Sequence, residues 1–244
     1  MASQVVDTSS VQELMREVLE RTSPSELRSI AAELSAKSAR ARVLIQQPAA
    51  DSEGGLQALG ALIRSSFLTR RRASTILAQL GAGALGRAIE ELVDESNALD
   101  ARVERFESFL SKLPDPPLDL CWELLHLVHP ERYWLWTQWI WDPRAETGAL
   151  RLVVEDDVDL FGATRLDTYL LVGRAQAFVG ETAASAGLPV VGDGPFGIDV
   201  FLAAVYCVYM YVVLRLRMTQ EFNRVVPQLP ELARRLLGTY RSEV

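Results

Sequence analysis

Cysteine and histidine are scarce, with two of each in 244 residues: Cys121 and Cys207, His126 and His129. Both cysteines lie in apolar runs without C-x-x-C spacing. Neither a disulfide framework nor a thiolate metal site is indicated, and a reducing compartment is expected. Two histidines are also too few for a di-iron centre built from a Glu-x-x-His on each of two helices. Residues 1–20 lack the basic-then-apolar order of a secretory signal, so the cytoplasm is the expected location. The apolar run Val200 to Leu214 is 15 residues long, short of the roughly 20 that cross a bilayer. A buried helix is expected there, and a membrane association is not.

Phosphate-binding and nucleophile signatures are missing as well. No G-x-x-x-x-G-K-[ST], G-x-G-x-x-G or G-x-S-x-G occurs, so nucleotide hydrolysis, dinucleotide binding and α/β-hydrolase chemistry have no motif behind them. The loop Gly192 to Gly197 is glycine-rich but has no lysine, and reads as a turn feeding the apolar helix. There is no positive excess either: the net charge is −7, which argues against a surface built to neutralise phosphates. The excess is local, since residues 1–113, 114–163 and 164–244 carry −1, −7 and +1.

What is present is mostly helical patterning. Ser10 and Glu13 have capping-box spacing ahead of Val11, Leu14, Met15, Val18 and Leu19, which share a helical face. Ser23 and Pro24 open a second helix running toward Ile45. The stretch 46–55 reads as a loop, and 56–113 as further helices punctuated by Gly81, Gly83 and the stretch 94–97. Pro114, Pro116 and Pro117 end this front half. Asp115 then caps a short helix to His129, before Pro130. Thr164 and Asp167 cap another helix that ends near Ala186, with Gly187 and Pro189 as stop signals. In the last helix Asp199, Tyr206, Met210, Arg217, Glu221 and Arg224 fall on one stripe.

Between the proline cluster and Thr164 the composition changes. All five tryptophans (Trp122, Trp134, Trp136, Trp139, Trp141) and both histidines lie within twenty residues. Residues 133–141, YWLWTQWIW, are almost all strand-favouring, and 142–148 supplies turn residues before a strand-like 150–154. A β-hairpin is expected, with a helix as its rival. The indoles either pack the hairpin as core or present a rigid aromatic surface to a partner.

Glu123, His126 and His129 form E-x-x-H-x-x-H, a spacing able to gather metal ligands on one helix face, with Asp119 or Asp199 as a further candidate ligand. Histidines near a helix end more often bond its loose carbonyls. The acidic run Glu155, Asp156, Asp157, Asp159 fails as an EF-hand, because Phe161 and Thr168 occupy the fifth and twelfth positions. It reads as a solvated turn. Arg70, Arg71 and Arg72 precede a helix and offer a contact for nucleic acid or an acidic partner, although such triplets usually end a helix in water.

The expected architecture is mainly α: a multi-helix, bundle-like protein with a small Trp-rich β-hairpin insertion. Its parts are an N-terminal helical region at 1–113, an acidic Trp/His-rich cassette at 114–163 and a C-terminal helical region at 164–244. The expected function is a non-enzymatic interaction or accessory module that docks a partner protein or subunit through the cassette. Binding residues are Trp134, Trp136, Trp139, Trp141, Tyr206 and Asp199, and metal candidates are Glu123, His126 and His129. The alternatives are an enzyme with a helix-lined pocket, acting on a small molecule or through a metal, and a nucleic-acid-binding protein. No catalytic residue and no cofactor is assigned.

Overall fold

A computed structural model describes residues 5–46, 53–187, 191–217 and 227–240, with side chains in the third segment described to residue 213. Among these residues the chain is helical, with ten α-helices, one 3₁₀ turn and no strand. No helix of the described residues is long and apolar enough to cross a membrane. The chain divides into two compact units, Met1–Leu34 with Trp136–Tyr240, and Ser35–Leu135.

The first unit is organised by α9, Gly197–Arg217. Val200 to Val205 and Cys207 are fully buried, so this helix is enclosed on all sides along its first turns, as its unbroken hydrophobicity requires. Around it pack α1 (Thr8–Leu19), α8 (Arg165–Ser185) and α10 (Leu229–Leu237). Burial pushes the Cys207 thiol up, so it stays protonated and serves as a small core residue. Of the polar stripe expected on α9, Tyr206 and Met210 are half-buried and Asp199 is fully buried. The side chain of Arg217, together with Glu221 and Arg224, lies outside the described residues, as do Pro48, Asp51 and Pro189.

Local signals set the helix starts. Asp7 caps α1, its Oδ1 accepting from Ser10 N at 3.1 Å, so the helix opens three residues before the expected Ser10. Pro24 is the first residue of α2 (Pro24–Ile45), with the Ser23 hydroxyl accepting from Glu26 N. Thr164 and Asp167 form the full capping box of α8, with reciprocal bonds of 3.1 and 3.0 Å. Within the same unit Arg234 of α10 grips Glu33 through Nε and Nη2 and reaches Glu26 at 2.7 Å. Burial of Glu33 raises its pKa, but the hydrogen bonds and charge of Arg234 outweigh this and hold it below the usual carboxylate value.

The second unit contains the later part of α2 with α3 (Glu53–Ser65), α4 (Ala73–Leu80), α5 (Ala82–Val93), α6 (Leu99–Leu110) and α7 (Leu120–Val128). Gly54 and Gly55, expected in a loop, lie in the first turn of α3. Gly81, at φ 77°, parts α4 from α5. Helix α5 packs on α3, α4, α6 and α7. Helix α7 starts later than Asp115 implies: residues 116–119 precede it in a turn, and the Asp115 carboxylate takes Arg72 Nη1 at 2.7 Å instead of capping a helix.

The expected β-hairpin is absent. Residues 133–137 form neither helix nor strand, and Ile140 N and Trp141 N both donate to Thr137 O in a tight turn. The chain does double back, through an isolated bridge between Asp142 and Thr147, and Ala149 N and Leu150 N reach Trp139 O and Ile140 O. It then forms the 3₁₀ turn Leu150–Leu152 where a second strand is expected. The reason lies in the burial pattern. A hairpin face needs alternate residues turned to opposite sides, whereas 135, 136, 137, 139, 140 and 141 are all buried. The Trp136 indole Nε1 also donates to Trp141 O at 2.9 Å, taking an acceptor that a strand partner would need.

Candidate functional site

The cassette in the first unit is an aromatic bed. Trp136, Trp139 and Trp141 are 2%, 6% and 3% exposed. Trp136 packs against Tyr169 of α8, with Arg165 stacked over its ring at 4.9 Å. Trp139 meets Tyr206 of α9 at 6.2 Å, and Tyr206 meets Tyr209 at 6.0 Å. Burial raises the Tyr206 phenol above its ordinary pKa, with Tyr209 and Asp142 adding to the effect. Trp141 holds Phe161 edge-on at 5.4 Å. The arrangement thus brings together two of the expected binding residues, Trp139 and Tyr206. Asp199 sits two helical turns before Tyr206, fully buried at the start of α9.

Of the four rings expected to face a partner, only Trp134 reaches solvent, to an intermediate degree, and it belongs to the second unit. Trp122 of α7 is fully buried. Sequence reasoning missed the ring that does reach out, Phe161, which is 48% exposed. Its signal was available: Phe161 stands two residues past Asp159, at the end of the acidic run that reads as a solvated turn.

That acidic turn is held in shape by one cation. Arg151 donates to the backbone carbonyls of Glu155, Asp156 and Val158. Phe161 N donates to Asp159 Oδ1 at 2.8 Å, locking the end of the turn. Asp156, Asp157 and Asp159 are exposed, with Asp156 Oδ1 3.5 Å from Arg151 Nη2, and they precede in the chain an exposed phenyl ring that rests on Trp141. A negatively charged surface with an apolar centre is the chemistry that binds a cationic, apolar segment.

The E-x-x-H-x-x-H residues lie in the second unit and turn to separate partners. Glu123 accepts from Lys37 Nζ of α2 at 2.9 Å, with both side chains buried. His126 Nδ1 donates to Tyr133 O at 2.7 Å. His129 lies just past the end of α7, at φ −130° and ψ 64°, and its Nε2 donates to Val93 O at 3.3 Å. Leaving the helix before the third member breaks the shared face on which ligation depends. Among the described residues no group of three or more His, Cys, Asp or Glu is placed to hold a metal ion.

The arginine triplet falls in the turn between α3 and α4. Arg70 stacks on Phe67 at 4.9 Å and Arg72 bonds both the carboxylate and the carbonyl of Asp115, while Arg71 is exposed. Two of the three guanidiniums therefore serve local packing.

No protein-family model, no curated protein and no solved structure matches this chain.

Proposed function

We propose that the chain is a non-enzymatic interaction module whose partner is a protein segment rich in basic and aliphatic side chains. The cassette is the rigid support for this docking surface, and the acidic turn with Phe161 is the surface itself. The observation that carries the reading is Phe161: a ring 48% exposed, seated on buried Trp141 and preceded in the chain by exposed aspartates. A large ring held rigidly at a surface gives contact area at small entropic cost, the property that makes aromatic residues interface anchors. The surrounding negative charge selects the partner and speeds encounter.

The test uses a fluorescently labelled amphipathic peptide of Leu and Lys, with a Leu and Glu peptide of the same pattern as control. Anisotropy should show binding of the Lys peptide alone, weakening as salt is raised and falling by about tenfold in Phe161→Ser. Equal binding of both peptides, or a Phe161→Ser variant that binds like the wild type, overturns the proposal.

A further inference from the structure

Helices α5 and α6 of the second unit leave between them a cleft of about 470 Å³, a size typical of small-molecule sites. Its apolar lining comes from Ala84 and Ala88, one helical turn apart on α5, and from Phe106 and Phe109 on α6. Two alanines at that spacing keep α5 thin where a larger side chain would fill the space.

Arg102 lines the same cleft and is 3% exposed. Its Nη1 donates to Leu92 O at 2.6 Å and its Nη2 to the Tyr133 hydroxyl at 2.8 Å, both neutral acceptors. Its Nε meets no acceptor among the described residues. The nearest carboxylate in this chain of bonds is Glu95, reached only through the Tyr133 hydroxyl and already paired with Arg132 at 2.5 Å. Asp94, whose pKa is lowered chiefly by hydrogen bonds from Ser96, also feels the Arg102 charge but accepts no hydrogen bond from it, and a buried guanidinium with an unused N–H is costly unless a further acceptor completes it. Arg87 and Arg105 stand exposed on the cleft walls, and neither makes an ion pair among the described residues. Glu91 and Glu104 share the lining, so three cations face two anions.

From this geometry we infer that the α5–α6 cleft binds a small organic monocarboxylate with an apolar body. The body lies on Phe106, Phe109 and the two alanines. The carboxylate is held by the arginines, whose planar forks match its two oxygens. The two glutamates restrict the ligand to a single negative charge, disfavouring phosphate esters.

Calorimetric titration of the full chain with 3-phenylpropionate, its amide and phenyl phosphate tests the inference directly. The carboxylate should bind, with the amide and the phosphate weaker by about tenfold or more. Arg87→Gln combined with Arg105→Gln, both at exposed positions, should weaken the carboxylate by a similar factor with unchanged helical circular dichroism. Ala88→Leu should abolish binding by filling the cleft. Absence of carboxylate binding at about 10 mM, equal affinity for the amide, or affinity unaffected by loss of both arginines would each overturn it. The comparison of ligands on the unaltered protein decides the matter even if a variant fails to fold. Failure here leaves the Phe161 surface untouched, because the two sites lie in different units.

Discussion

Glu123 is the residue whose chemistry sequence patterning misassigns most clearly. The spacing with His126 and His129 suggests a ligand, yet the Glu123 carboxylate is the buried counter-ion of Lys37. Desolvating both charges costs much of what their attraction returns, so the pair adds little net stability while either partner alone is strongly unfavourable. Lys37→Met should therefore lose roughly 3–5 kcal/mol. The double variant Lys37→Met, Glu123→Leu should regain most of that loss, as urea denaturation would show. A single variant as stable as the wild type would mean that Glu123 has another counter-ion. The ion pair could not be read from one sequence, because the partners are 86 residues apart and no local rule links them.

At the scale of elements, the helices were largely legible and the segment from Tyr133 to Val154 was not. Caps at Ser23 and Thr164 act through neighbours three residues away, so their signals survive in the sequence. The burial of α9 follows likewise from its unbroken apolar run. Strand preference is different: it reports how well a side chain suits a pleated, half-buried surface, and packing decides whether such a surface exists. Here Trp136, Trp139 and Trp141 pack against Tyr169, Tyr206 and Phe161, and the backbone turns to serve those contacts. Gly148 is where that turn is closed, at φ 143°. A Cβ there would lie 2.3 Å from Ile140 O, a contact with backbone that cannot move aside cheaply. Gly148→Ala should cost about 2 kcal/mol or more and lower the thermal midpoint; an unchanged midpoint would show that 139–150 is arranged otherwise. The α5–α6 cleft was hidden for a related reason. Ala84 and Ala88 are unremarkable on one helix and matter only once α6 lies opposite.

At the scale of the whole molecule, the clustering of all the tryptophans was legible and their fate was not. Aromatic density alone does not separate an interior bed from an exposed face, since indoles supply both core volume and interface anchors. The division of labour is what the structure adds: three indoles of the first unit are interior, Trp122 is interior in the second, and Phe161 with the acidic turn carries the docking proposal outward. The measurement that bears most directly on this arrangement is acrylamide quenching of tryptophan fluorescence, in the wild type and in Trp134→Phe. The account predicts a blue-shifted emission with one small quenchable component that disappears in Trp134→Phe. A variant that keeps its quenchable fraction would place other indoles at the surface and contradict an interior cassette.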